Sequence, residues 1–256
     1  MAKLIIAGYG FVGAAVGEAL DSFHEILICD PKLNNRKVYD HPDVDGVILC
    51  LPTPQNEDGS CDISYLEAVL EECYPDIPIL IKSTMSIEGY RYLKDQFSTL
   101  KINYSPEFLT AANANKDFKD QKYYYIAGPD NKFWDDVFKT ALPDAVQKPA
   151  SSIEELILVK YFRNSFLATK VAYANQMYDF CKFFNVSYEK VREKFGEDPR
   201  IGYSHTQVPG PDNERGFGGA CFPKDTSAIL YTADFYDLEL RILKAVVDYN
   251  NKLKEE

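Results

Sequence analysis

The chain of 256 residues has only one tryptophan, three histidines and three methionines. No run of apolar residues approaches the length needed to span a bilayer. The histidines, at 24, 41 and 205, all fall in stretches that read as surface, which argues against a His-based catalytic triad. The six cysteines (29, 50, 61, 73, 181 and 221) are scattered, with no CxxC pair and no metal-type spacing to the histidines. That argues against both structural zinc and a disulfide framework. Basic residues are in deficit: 28 Lys and Arg against 39 Asp and Glu leave a net charge of −11. A general nucleic-acid binder needs clustered Lys and Arg for phosphate affinity, so that class is disfavoured. The opening MAKLIIA runs straight into a glycine-rich turn, with no signal-peptide cleavage region. The expectation is a cytoplasmic protein with no membrane partner, no nucleic-acid partner and no metal.

What is present points to two domains, for which the length suffices. Short apolar strands at residues 3–7, 25–29, 47–51, 79–82, 102–104 and 123–127 alternate with helical stretches, the first helix at 12–22. This alternation is the signature of a parallel α/β sheet. The character changes near residue 150, where Ser151-Ser152-Ile153-Glu154-Glu155 reads as a capping-box helix start. No Pro or Gly follows until beyond residue 184. Apolar residues recur at near-helical spacing at Leu156, Val159, Phe162, Phe166, Val171, Ala174, Met177 and Cys181. A long helix of about 30 residues is predicted there, then a Gly/Pro-rich loop at 196–219 and further helix from 223. The fold class expected is α/β: a Rossmann-like domain at 1–149, then an all-helical domain at 150–256 with a long central helix.

Gly8-Tyr9-Gly10-Phe11-Val12-Gly13 is a GxGxxG motif between a predicted strand and a predicted helix, and Asp30 ends the next strand. Gly8 permits the tight turn, Gly10 lets backbone approach a pyrophosphate, and Gly13 allows close helix–strand packing. The N–H groups at the helix start, around Phe11 and Val12, would face the anion. Asp30 would accept hydrogen bonds from the adenosine ribose and repel a 2′-phosphate, favouring NAD over NADP.

Arg215-Gly216-Phe217-Gly218-Gly219-Ala220-Cys221-Phe222-Pro223-Lys224-Asp225 leads a glycine-rich backbone into a cysteine. Pro223 suits the first turn of a helix. Cys221 would then sit at a helix N-terminus beside Lys224, and both features favour the thiolate. Asp225 stands one turn on, a carboxylate placed to handle protons in covalent catalysis. Residue types alone leave open a buried cysteine in a helix-capping loop. Lys160 and Asn164 share a face of the long helix and could stabilise a developing oxyanion, or be a solvated Lys beside an exposed Asn. Thr53, Thr84 and Glu107 each follow an apolar strand, where doubly wound sheets bind ligands; ordinary turn chemistry explains their neighbourhoods equally well.

In order, the segments GYGFVG, LPTPQNEDGSCD, KST, SPEFL, LVKYFRNSFLATK and GFGGACFPKD resemble the nucleotide-sugar 6-dehydrogenase family over nearly the whole chain. The resemblance implies oxidation of a sugar C6 alcohol to the carboxylate with two NAD+, through a Cys221 thiohemiacetal and thioester. It implies Lys160 and Asn164 on the C6 oxygen, Asp225 with a water held by Thr84 moving protons, and Glu107 assisting thioester hydrolysis. Thr53, Thr84 and Lys224 would join the glycines, Phe11, Val12 and Asp30 at the cofactor. Phe108, Leu109, Arg200, Phe217 and Gly218 would contact the nucleotide sugar, with Lys160 and Asn164. It also implies a homodimer through the long helix. Two departures stand out: Thr110-Ala111-Ala112 lacks the glutamate usual a turn after SPEFL, and the chain stops at Lys254-Glu255-Glu256, where relatives continue into a third domain. The competing expectations are a β-hydroxyacid dehydrogenase, which needs no Cys221, and a non-catalytic homologue that binds NAD or a nucleotide sugar.

Overall fold

The computed structural model describes residues 1–255. The chain forms two compact units, one of Met1–Asn56 with Cys61–Lys160, the other of Glu57–Ser60 with the residues from Tyr161 onward.

The first unit runs β1 (Lys3–Ala7), α1 (Phe11–Leu20), β2 (Glu25–Cys29), β3 (Gly46–Leu49), α2 (Ser64–Leu70), β4 (Pro78–Ile81) and α3 (Ile87–Gln96). It continues through β5 (Lys101–Tyr104), α4 (Ala114–Asp120), β6 (Tyr123–Tyr125), α5 (Asn131–Ala141) and β7 (Val146–Lys148). Five strands make one parallel sheet in the order β2-β1-β3-β4-β5; β6 and β7 pair separately. The central strands, LIIA in β1, GVIL in β3 and ILI in β4, are buried at every residue. Such near-continuous apolar runs mark a parallel sheet covered on both faces. One face packs Leu4, Ile6, Ile48 and Leu80 with Val16 and Leu20 of α1, Phe118 of α4, and Trp134 and Phe138 of α5.

From β1 the chain crosses to β2 on one side and returns to β3 on the other. The carboxyl ends of β1 and β3 therefore flank a switch point, where open α/β sheets bind ligands. The predicted strand at 123–127 stops at Tyr125, because Ala127 instead bridges antiparallel to Tyr104. His24 also departs from its surface reading. It is 7% exposed, its Nδ1 accepts from the Ala2 N–H at 3.1 Å, and Nε2 lies 2.9 Å from the Thr140 hydroxyl. Burial lowers its pKa, so it serves as a neutral bridge inside the unit.

Helix α6 (Ile153–Phe183) starts in the first unit and continues into the second, followed by α7 (Tyr188–Gly196), α8 (Phe222–Phe235) and α9 (Arg241–Glu255). Its start is capped as expected: Ser152 Oγ accepts the Glu155 N–H at 3.1 Å, and the Glu155 carboxylate accepts the Ser151 N–H at 2.7 Å. The assignment of its faces needs correction. Phe162 and Phe166, read as seam residues, are 58% and 65% exposed, while Lys160 and Asn164 are buried. Helix α7 has no counterpart in the sequence reading; it is anchored by Tyr188, buried with Ala174 and Val208. The predicted loop holds a cis Val208-Pro209 bond. Among the described residues no helix is long and apolar enough to cross a membrane.

Candidate functional site

In the first unit the glycine turn after β1 has the shape its motif demands. Gly8 has φ +86°, and a Cβ there would lie 2.5 Å from the Cys50 carbonyl oxygen. A Cβ on Gly13 would fall 2.1 Å from the Gly8 carbonyl oxygen, so α1 can approach this closely only without a side chain. Gly10 is the N-cap of α1 and its open side meets nothing within 4 Å. The N-terminus of α1, at Phe11 and Val12, carries no side-chain cap and no acidic residue in its first turn, which leaves N–H groups for an anion. Asp30, just beyond β2, ties the turn in place: one carboxylate oxygen accepts the Tyr9 N–H at 2.7 Å, the other the Lys32 N–H at 2.8 Å. Each oxygen keeps a lone pair for a ribose hydroxyl. An open glycine turn on a bare helix start, facing a carboxylate, fits a dinucleotide.

The loops after β3 and β4 are stitched together beside this turn. Ser83 Oγ accepts the Leu51 N–H at 2.8 Å, and the Cys61 thiol lies 3.6 Å from the Thr84 carbonyl and 4.0 Å from that of Thr53. Thr53 is buried and Thr84 half-buried.

After β5, Glu107 meets Lys160 in a buried ion pair. The ammonium is 2.7 Å from both the Glu107 carboxylate and the Glu107 carbonyl, with the two side chains 4% and 8% exposed. The other Glu107 oxygen accepts the Leu109 N–H at 2.7 Å, and the Lys160 ammonium stands 5.7 Å over the Phe108 ring. Behind them lies Lys82, which the sequence reading passed over. Its ammonium donates to the Ser105 carbonyl at 3.1 Å and hydroxyl at 3.2 Å, and burial pulls its pKa down to about 8. Burial likewise pushes the Cys50 thiol up to about 12, so that cysteine is no nucleophile.

In the second unit Cys221 is the N-cap of α8 and is half-buried, with Pro223 in the first turn as anticipated. Asp225, 1% exposed, is the centre of a polar group: its Oδ2 accepts from the Asn164 amide at 2.5 Å and its Oδ1 from the Lys224 ammonium at 2.6 Å. Lys224, expected at the cofactor, is thus engaged with Asp225. The Arg200 guanidinium is engaged with Asp198 and its side chain is 87% exposed. The Phe217 ring is buried and Gly218 half-buried. A further residue missed from sequence is Asn250, buried on α9 and bonded to the Phe217 backbone; a polar residue on the seam with Leu243 and Leu253 was the available signal. Among the described residues no group of His, Cys, Asp or Glu could hold a metal.

Two descriptions of one family match the chain: the NAD binding domain of the UDP-glucose/GDP-mannose dehydrogenase family over residues 32–137, and its central domain over 155–252. The chain belongs to this family. NAD is therefore the cofactor, and the turn at 8–13, which precedes the matched span, fits it on its own geometry. A UDP-glucose 6-dehydrogenase of Rickettsia felis is 29% identical over 247 residues, covering 91% of this chain and 54% of that protein. The chain spans about half the length of such curated relatives. The structure of a UDP-glucose dehydrogenase from Pyrobaculum islandicum superposes with a TM-score of 0.82 at 29% identity, covering 98% of this chain and 68% of that one. The fold alone is shared with a Mycobacterium tuberculosis 3-hydroxyisobutyrate dehydrogenase, at TM-score 0.77 and 15% identity, covering 100% of this chain and 94% of that one.

Proposed function

We propose that this chain carries out the NAD-dependent oxidation of a nucleotide-sugar C6 alcohol to the carboxylate, of the UDP-glucose to UDP-glucuronate type, with Cys221 as nucleophile. The observation that carries the reading is Cys221 capping α8 one turn from Asp225, a carboxylate buried with two donors of its own. A helix N-terminus favours the thiolate. A carboxylate buried with such partners is placed to hold and pass a proton, since burying a charge for packing alone is costly.

NAD supplies the hydride acceptor for each oxidation. When the alcohol loses its first hydride and a proton, the Cys221 thiolate adds to the resulting aldehyde carbon, and the new alkoxide takes a proton to give a thiohemiacetal. Loss of the second hydride and that hydroxyl proton leaves a thioester. Water then adds at the carbonyl and the C–S bond breaks, which releases the product carboxylate and two protons and regenerates the Cys221 thiolate. Lys160 and Asn164 stabilise the C6 oxygen while it is negative. Thr84 and Asp225 position and deprotonate water, and Glu107 assists hydrolysis. Thr53 and Lys224 serve the cofactor, and Phe108, Leu109, Arg200, Phe217 and Gly218 the nucleotide sugar. Lys160 and Asn164, one turn apart on α6, each belong to one of the two polar groups described above. The protein works in the cytoplasm. It is a homodimer through α6, a reading supported by the narrow exposed stripe of Phe162, Phe166, Tyr173 and Phe180 along that helix, which Phe184 continues just beyond its end.

A second reading, a single oxidation of the β-hydroxyacid dehydrogenase kind, is favoured by the shared fold. NADH formation on UDP-glucose, UDP-N-acetylglucosamine, UDP-N-acetylmannosamine and GDP-mannose, with Cys221→Ala alongside, separates them. Two NADH per sugar, abolished in the variant, supports the covalent reading. Turnover undiminished by the substitution supports the second. NAD binding without turnover on any of these sugars refutes the proposed oxidation and points to a non-catalytic relative.

A further inference from the structure

The segment that delivers Cys221 to α8 is gripped from two helices. Arg215 anchors its start on α6: the guanidinium is 2.7 Å from Asp179 and 3.2 Å from the Asn175 side chain, and stands 5.5 Å over the Tyr178 ring. Asp179 also accepts from the Tyr249 hydroxyl of α9 at 3.2 Å. Two residues on, Asn250 of α9 takes both polar groups of one backbone unit. Its Oδ1 accepts the Phe217 N–H at 2.6 Å and its Nδ2 donates to the Phe217 carbonyl at 3.1 Å. Asn250 is 4% exposed, and a Cβ on Gly216 would lie 2.5 Å from its Oδ1, so amide and backbone fit with no room to spare. Beyond this grip the chain opens. A Cβ on Gly218 would meet only the end of Lys254 at 3.8 Å, and one on Gly219 nothing within 4 Å.

A buried asparagine satisfied twice by one residue's backbone fixes position more than it adds stability, since the net worth of each such bond is about 1 kcal/mol. We infer that Asn250 is a positioning residue for Cys221: by clamping Phe217 it holds the otherwise compliant glycine segment so that the cysteine stays seated on the N-terminus of α8. The inference rests on the reading of Cys221 as the reactive group, but it can be tested without turnover.

The test is the iodoacetamide alkylation rate of each cysteine, read by peptide mass spectrometry, in wild type, Asn250→Ala and Asn250→Asp, with circular dichroism to check folding. Cys181 on α6, in the same unit, is the internal reference. Unseating Cys221 removes the helix N-terminus from its thiolate. Its rate should fall about fivefold in Asn250→Ala, the equivalent of one such hydrogen bond, with Cys181 unchanged. Asn250→Asp keeps the acceptor for the Phe217 N–H and should fall between. Should Asn250→Ala fail to fold, Gly216→Ala, which presses on the same contact from the other side, takes its place. A Cys221 rate within twofold of wild type in a folded variant overturns the inference. So does a parallel change at Cys181, which would show general loosening. Absence of NADH formation in wild type would defeat the proposed function and leave this comparison decisive on its own.

Discussion

Replacing Glu107 by Gln probes the ion pair that the structure buries most completely. In the native chain the Lys160 ammonium has three neighbours: the Glu107 carboxylate at 2.7 Å, the Glu107 carbonyl at 2.7 Å, and the Phe108 ring at 5.7 Å. Glutamine is nearly isosteric, so packing is kept and the charge partner alone is lost. Breaking a buried pair from one side costs about 3–5 kcal/mol, because the remaining charge is left without its counterion. The carbonyl and the ring stay, which places the expected loss at the low end, about 3 kcal/mol.

The assay is urea denaturation followed by fluorescence of Trp134, the only tryptophan, fully buried in the same unit as the pair. A second step separates pairing from simple damage. In Lys160→Met with Glu107→Gln both charges are gone, so the double variant should be more stable than the worse single one, with a coupling of about 2 kcal/mol or more. A loss in Glu107→Gln below about 1 kcal/mol, the level of an exposed pair, would refute the buried-pair reasoning. Additive singles would do so as well.

Three further outcomes follow from the same structure. Lys82 has a pKa of about 8 when folded against 10.5 ordinarily, so between those values the unfolded chain binds more protons and stability rises with pH. The difference between wild type and Lys82→Met, taken from Trp134 urea curves, should move toward wild type by about 1.4 kcal/mol per pH unit across that window, and a flat difference would be contrary. Gly13→Ala places a Cβ against the Gly8 carbonyl, so NAD affinity by calorimetry should drop about tenfold or more, and unchanged affinity would remove the turn from the cofactor site. Phe166→Asp with Phe180→Asp puts charge on the exposed stripe of α6, and if the proposed dimer packs there, light scattering should report a dimer for wild type and a monomer for the variant; an unchanged mass would exclude that face as the interface.

Backbone constraint was readable in the sequence and side-chain partnership was not. The turn at 8–13 was legible because Gly8 and Gly13 are the only residue type that the positive φ and the close approach to Cys50 and Gly8 allow. Strands β1 and β2 match their expected limits because LIIA and EILIC are short apolar runs between turn residues. Helix α6 was legible in extent but not in facing. Apolar periodicity assumes that apolar residues are inside, and Phe162 and Phe166 break that assumption while Lys160 and Asn164 take the buried places.

The pairings that give the two polar groups their character lie across long separations, 53 residues for Lys160 with Glu107 and 61 for Asn164 with Asp225, and no local pattern encodes them. Lys224 is the opposite case: its ion-pair partner, Asp225, is the adjacent residue, so sequence proximity alone offers that pairing. One sign was readable and cuts across all of these residues. A Lys or Asn at a position that helical spacing turns inward must find a partner there, because burial without one is costly. Asn250, on the seam of Leu243 and Leu253, meets that description, and in the structure Lys160 and Asn164 are likewise buried on bonded partners. On α9 a polar residue on the apolar seam was therefore readable as a bonded position, whereas on α6 the exposed phenylalanines masked which face was inward.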